Sequence, residues 1–266
     1  MYDYHTHSFF SDDCGIPTRD MIEAAINKGV KEMAITDHYD PDYPDSQYPF
    51  TIAFEKYHET LLKVEEEYKD RIKIVKGIEI GIQHGDTMNK CRTAANAFPY
   101  DFILGSFHCT DNKDLYMGYF TEDVDIIKAF ERYYEYAYEC LKDYSDFDVM
   151  GHINVVDRYV PFNQIPKYEP YMDLIESILK LLIENNKGIE FNSSCYRYLS
   201  EGRTTPTLEI LSLYKNLGGE IITFGSDSHN PNHIADHYVE TIDLLKQIGF
   251  KYLSTFDNRE VNFVKL

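Results

Sequence analysis

Apolar residues fall along this chain in short runs rich in β-branched side chains, each followed by a longer stretch with helical periodicity. YDYHTH precedes TRDMIEAAINKG, and KEMAIT precedes a Tyr/Pro/Asp-rich loop and then FEKYHETLLKVEEEY. RIKIVKGIEI precedes GDTMNKCRTAANA, and DFILGSF precedes EDVDIIKAFERYYEYAYECL. DVMGHI leads to EPYMDLIESILKLLIENN, GIEFN to TPTLEILSLYKNLG, and EIITFGS to HIADHYVETIDLLKQIG. Seven strand-then-helix units predict a parallel sheet with crossover helices. KYLSTF near the end supplies an eighth strand or a closing segment. No linker, low-complexity tract or repeat interrupts the series, so the expectation is one α/β domain over residues 1–266, closed or nearly closed into a barrel. An open doubly wound sheet stays the alternative, because strand order is not written in periodicity.

The polar chemistry gathers at the predicted strand ends. His5 and His7 close the first strand, Asp37 and His38 follow the second, and Glu79 sits in GIEIG at the third. His108 ends the fourth, His152 the fifth, and Asp227 and His229 the seventh. In a barrel all of these belong to the C-terminal mouth, where the loops build active sites. Residues i and i+2 of a strand share a face, so His5 with His7, and Asp227 with His229, could each grip one metal ion. Imidazoles and carboxylates without thiolates suit zinc, manganese or iron, and a carboxylate shared between ions holds them ~3.5–4 Å apart. The expectation is a bi- or trinuclear hydrolytic centre.

A lone H-x-H is more often packing than coordination, and T-D-H alone is a weaker signal still. Glu79 is different, because a carboxylate inside an apolar strand is expensive without a counter-charge. The other histidines are assigned elsewhere: His58, His233 and His237 to the surface, and His84 to the site rim or a turn. Cys14 and Cys109, beside proposed ligands, are expected to be small packing residues.

Charge narrows the function. Lys and Arg number 26 against 45 Asp and Glu, a formal net charge of −19 that opposes attraction to nucleic acid or to an anionic membrane. The five cysteines are widely spaced without a C-x-x-C pair, which favours reduced thiols. With no apolar run near 18 residues and no basic-then-apolar N-terminal region, the expectation is a cytoplasmic protein.

The ordered set HTHS, TDH, GIE, GSFH, GH and GSDSH resembles the polymerase and histidinol phosphatase (PHP) family of metal-dependent phosphoesterases. DYHTHSFFSDDC, GHINVVDRY and FNSSCYRY are most similar to its stand-alone histidinol-phosphate phosphatases. The resemblance implies a distorted (β/α)7 TIM-like barrel with three divalent transition-metal ions, Zn, Mn or Fe. His5, His7, Glu79 and Asp227 would hold one ion. A bridging Glu79 with His108 and His152 would hold a second, and Asp13, His38 and His229 a third, with the adjacent Asp12 as substitute for Asp13. Arg158 in VVDRY and Arg197 in SCYRY would grip the substrate phosphate, for which a planar guanidinium is suited. Ser193, Ser194 and Cys195 stand where relatives often read Thr-Ser-Gly, which puts the local turn in doubt.

The implied reaction is hydrolysis of L-histidinol phosphate by in-line attack of a metal-bridging hydroxide, with Glu79, Asp227, Arg158 and Arg197 in the catalytic set. Asp227 or a rim histidine would protonate the leaving alcohol. Tyr39, Asp42 or Tyr116 would read the substrate's ammonium and imidazole. Another small monoester, a nuclease or a non-catalytic metal-binding barrel are the alternatives, and homo-oligomerisation is left open.

Overall fold

The computed structural model describes residues 1–116, 118–120, 124–199 and 202–266. The seven expected strands are β1 (Tyr2–Asp3), β2 (Glu32–Ile35), β3 (Lys73–Gly81), β4 (Phe102–Ser106), β5 (Val149–Met150), β6 (Gly188–Asn192) and β7 (Ile222–Gly225). Each pairs in parallel with the next in sequence. The circle closes where the Tyr4 N–H donates to the Phe224 carbonyl at 2.8 Å and where Thr6 bridges Ser228 in parallel. Sequential order with closure leaves no topological switch point, so the open doubly wound alternative is excluded and the chain is a TIM-like barrel.

Helices α1 (Thr18–Asn27), α2 (Phe54–Tyr68), α3 (Asp86–Ala95), α4 (Ile126–Asp143), α5 (Met172–Glu184), α6 (Leu208–Asn216) and α7 (Tyr238–Ile248) follow the seven strands in turn. Their apolar stripes produce the burial. In α2, Tyr57, Leu61, Val64 and Tyr68 recur every three or four residues and all four are buried. Asp125 caps α4 by accepting from the Lys128 N–H, Thr207 caps α6 by accepting from Ile210, and α7 stops at Gly249 with φ of 108°. The helix expected from Glu169 opens instead with a 3-10 turn at Glu169–Tyr171 before α5 begins at Met172, and two further 3-10 turns, Val155–Tyr159 and Phe162–Gln164, lie in the loop after β5.

KYLSTF is not an eighth barrel strand. It forms β8 (Tyr252–Asp257), which pairs antiparallel with β9 (Glu260–Lys265) as a hairpin outside the barrel ladder. The hairpin seals the floor. Phe256 packs with Tyr4, Ala34, Val75, Phe102, Leu104 and Val149, its N–H donates to the Tyr4 hydroxyl at 2.8 Å, and Arg259 pairs with Asp148 at 3.0 Å. Strand alternation ties this floor to the mouth. Val75 and Glu79 share one face of β3, and Phe102 and Leu104 share one face of β4 with Ser106. Each inward face therefore starts apolar and ends polar.

Phe256→Ala is expected to open a cavity at the floor and cost roughly 3–5 kcal/mol of unfolding free energy by urea titration, with metal uptake by the folded protein unchanged.

Candidate metal centre

The first two ligand candidates stand on backbone that continues the β1 ladder: the Thr36 N–H donates to the Thr6 carbonyl and the His7 N–H to Ser228, both at 2.9 Å. This extended conformation aims both imidazoles at one point. The His5 Nε2 lies 3.2 Å from Glu79 Oε2 and 3.7 Å from Asp227 Oδ1. The His7 Nε2 lies 3.5 and 3.6 Å from the same two oxygens. A tetrahedral ion with bonds of about 2.0–2.2 Å sets its ligands roughly 3.3–3.6 Å apart, so these four atoms fit one cation. Asp227 reaches its place from a left-handed backbone (φ 52°), a conformation costly for a residue with a β-carbon and concentrated at functional sites.

Glu79 faces a second pair of imidazoles with its other oxygen: Oε1 is 3.4 Å from His108 Nε2 and 3.2 Å from His152 Nε2. A third group lies nearer the rim, where Asp13 Oδ2 is 3.1 Å from His229 Nε2 and 3.7 Å from His38 Nε2. Asp12 is turned elsewhere and accepts the Phe50 N–H at 2.6 Å. The His7 ring stacks between the two rim imidazoles, 4.3 Å from His38 and 4.0 Å from His229. His5, His7, Asp13, His38, Glu79, His108, His152, Asp227 and His229, all expected from sequence, thus form one connected cluster, and several triads within it place donor atoms close enough to hold an ion.

Electrostatics favour cations here. Burial would push the Glu79 carboxyl up, but His5, His38 and His108 outweigh it and hold the group well below its usual range. Burial opposes the Asp227 carboxylate too, and His5, Arg158 and His229 overcome it. His7 goes the other way: burial and then the charges of His229, His38 and His5 push it well below an ordinary imidazole, so it presents a neutral ring. Its Nε2 is buried without a hydrogen-bond partner among the described residues. A neutral imidazole with an unpartnered nitrogen beside two ionised carboxylates is the donor set a divalent ion requires.

Two carboxylates that strand ends alone did not single out stand behind these rings. Glu190 Oε1 lies 2.6 Å from His5 Nδ1, while its Oε2 accepts the His152 N–H at 2.9 Å and Asn192 Nδ2 at 3.0 Å. Asp40 Oδ1 lies 2.6 Å from His108 Nδ1. Both carboxylates are buried and would orient a coordinating ring from behind. A signal existed for Glu190, because GIEFN repeats the Gly-Ile-Glu of GIEIG and the argument for a buried carboxylate in an apolar strand applies equally. Asp37, at a strand end, faces away from the cage. It accepts from Ser8 N–H, Ser8 Oγ and Ser11 Oγ at 2.6–2.9 Å, and Ser11 Oγ lies 3.0 Å from His7 Nδ1. Two glycines clear the space: a β-carbon at Gly81 would strike the Asp40 carboxylate, and one at Gly225 would strike Glu190 and His5.

A cavity of about 710 Å³ opens over the cluster. Arg158 lines it, with Nη2 2.5 Å from Ser194 Oγ and 3.1 Å from Asp227 Oδ2, and its guanidinium lies over the Tyr198 ring. Arg197 does not line the cavity: it donates from Nη2 to the Ser226 and Asp227 carbonyls at 2.7 and 3.0 Å, and its Nε and Nη1 are buried without partners among the described residues. Of the proposed substrate readers, Tyr116 lines the cavity. Tyr39 packs on Phe54 and Asp42 pairs with Lys90 and Thr87, because the loop after β2 turns them outward; Tyr43, Asp45, Asp114 and Tyr159 line the wall instead.

The remaining histidines stay out of the cluster. His58 is half-buried rather than a free surface residue, with Nε2 2.7 Å from Tyr100 Oη and its ring stacked on Phe98. His237 stacks on Tyr196, and His84 faces Glu139. Cys14 and Cys109 are buried and unpaired. Burial raises the Cys14 thiol to about 11.

Comparison with known proteins matches residues 3–194 to the PHP domain model. The chain is 30% identical to the histidinol-phosphatase of Lactococcus lactis, over 98% of this chain and 96% of that one. It is 28% identical to a probable histidinol-phosphatase of Clostridium acetobutylicum, over 94% and 95%. The crystal structure of histidinol phosphate phosphatase from Lactococcus lactis, complexed with zinc, L-histidinol and phosphate, superposes with a TM-score of 0.87 at 26% identity and covers 98% of both chains.

Glu190→Gln keeps the shape of the side chain but removes the charge behind His5. Metal affinity is expected to fall by roughly 10–100-fold, measured by competition with a chromogenic chelator, with little change in secondary structure.

Proposed function

The chain belongs to the PHP domain family, and from that premise we propose that it is a metal-dependent phosphomonoesterase that hydrolyses L-histidinol phosphate to L-histidinol and inorganic phosphate. The observation that carries the reading is Glu79: Oε2 faces His5, His7 and His38 at 3.0–3.5 Å and Oε1 faces His108 and His152 at 3.2–3.4 Å, so the one carboxylate would be shared between two ions. Full-length similarity to histidinol-phosphatases supports the substrate. Residues 1–266 would act as one catalytic unit in the cytoplasm, at the phosphatase step of histidine biosynthesis. A net charge of −19 disfavours a nucleic-acid strand or an anionic membrane as partner.

Three ions, Zn, Mn or Fe, would be held by His5, His7, Glu79 and Asp227; by Glu79, His108 and His152; and by Asp13, His38 and His229. When bound they would supply a water acidified toward neutral pH and positive charge opposite the phosphate oxygens. The chain's own residues do the rest. Asp227 spans two tasks, with Oδ1 toward the imidazoles and Oδ2 toward Arg158, so the cage and the phosphate-binding side share one rigid carboxylate. Arg158 from the cavity wall would clamp the non-bridging oxygens of the phosphate, with Arg197, which stands behind the lining and keeps Nε and Nη1 buried without partners among the described residues, as the second guanidinium. Tyr43, Tyr116 and Tyr159 would shield the esterified alcohol from water, and Asp45 and Asp114 would face its ammonium group.

Protein purified without chelator is expected to carry about three equivalents of transition metal and to release phosphate from L-histidinol phosphate much faster than from an aryl phosphate or a phosphodiester. A different preferred monoester would move the substrate assignment and keep the mechanism; metal-free, inactive protein after reconstitution would overturn both. Glu79→Ala is expected to lose about two of the three equivalents, since it serves two ions, and to abolish turnover.

A further inference from the structure

Behind the cavity wall lies a part-buried ion pair that no step above uses. Arg158 and Asp157 are consecutive in the 3-10 turn Val155–Tyr159, and successive residues of such a turn point about 120° apart. Arg158 therefore faces the cavity while Asp157 enters the core, 1% exposed. There Asp157 Oδ2 accepts three donors: Arg203 Nε at 2.7 Å, Tyr168 Oη at 2.7 Å and Asn154 Nδ2 at 2.9 Å. The Arg203 guanidinium also lies over the Tyr168 ring at 5.0 Å. Neither Asp157 nor Arg203 lines the cavity.

The pair joins two loops that matter. Asp157 belongs to the loop after β5, which carries Arg158. Arg203 belongs to the stretch after β6, which also carries Ser194 and Arg197 and is fixed to the strand where the Asn192 N–H donates to the Thr205 carbonyl at 2.7 Å. Asn154 Nδ2 adds a second tie, to the Thr204 carbonyl at 3.3 Å. On the cavity side the same loops meet again through Arg158 Nη2 and Ser194 Oγ.

From this arrangement we infer that Asp157 and Arg203 are positioning residues for phosphate binding: their ion pair, buried at the Asp157 end, locks the β5 and β6 loops together and so sets where the Arg158 guanidinium stands. The inference rests on Arg158 being a phosphate ligand. A buried carboxylate with one charged partner and two neutral donors is stiff, because any movement of Arg203 strands a charge away from water. An unclamped Arg158 would still carry its charge but would sample positions away from the phosphate, and binding would weaken more than turnover of the bound ester.

The test compares Arg203→Met, Arg203→Lys, Arg158→Ala and the Arg158→Ala/Arg203→Met double variant, all metal-loaded. Each is assayed with an aryl phosphate, so that the histidinol assignment plays no part, and inorganic phosphate serves as the competitive probe. Arg203→Met is expected to raise KM and the phosphate inhibition constant on the order of ten-fold, with kcat changed less than about three-fold and metal content unchanged. Arg203→Lys should recover most of that loss, and Arg203→Met should add nothing once Arg158 is gone. Wild-type KM and inhibition constant in Arg203→Met, beside a raised KM in Arg158→Ala, would overturn the clamp alone; so would full additivity in the double variant. An Arg158→Ala protein with unaltered phosphate affinity would instead remove the premise that Arg158 is a ligand. If Arg203→Met does not fold, Asp157→Asn takes its place, with the same expected rise in KM and the same overturning result.

Discussion

A carboxylate taken wholly out of water is the constraint around which this molecule is organised. Glu79 is fully buried at the end of β3, and leaving such a charge uncompensated costs several kcal/mol. The compensation comes from four other strand ends, through His5, His38, His108 and His152, with the Ser106 hydroxyl donating to Oε1 at 2.6 Å. Only a closed barrel brings so many strand termini to one point, so closure of the sheet and solvation of Glu79 depend on each other. The imidazoles themselves need support, and Glu190 and Asp40 provide it from behind.

Stability and chemistry are separated along the barrel axis. The floor is dry and apolar, plugged by Phe256 of the terminal hairpin against side chains from β2, β3, β4 and β5. The mouth is polar and strained, with Asp227 in a left-handed conformation and unpartnered nitrogens aimed inward. A barrel tolerates this division because its hydrogen-bonded wall transmits the rigidity of the floor to the mouth. The Asp157–Arg203 pair extends the same rigidity into the loops, where the β6 loop is otherwise tied to its strand by the Asn192–Thr205 bridge.

The glycines show how tightly the two functions share space. Gly81 and Gly225 stand on strands, where a missing side chain normally weakens packing, yet a β-carbon at either would collide with Asp40, or with Glu190 and His5. The strand yields a side chain so that a carboxylate behind a ligand can pass.

Much was legible in the sequence because the signals are local. The strand-helix alternation set the number of units, and α2 runs over Phe54–Tyr68 as its apolar spacing indicates. The cluster was legible because barrel strands end where chemistry sits, so His5, His7, His38, His108 and His152 could be named from strand ends alone as residues that would meet at the mouth. What tertiary structure decided was everything that pairs distant residues. Glu190 meets His5 across 185 positions, and no periodicity reports such a contact. Asp12 and Asp13 differ in the same way, because the Phe50 N–H reaches the first carboxylate and the second lies beside the imidazoles. The order of the strands, the hairpin at the floor and the outward turn of Tyr39 and Asp42 were settled the same way, since local sequence fixes what a segment can bury while only the closed chain fixes what it is buried against.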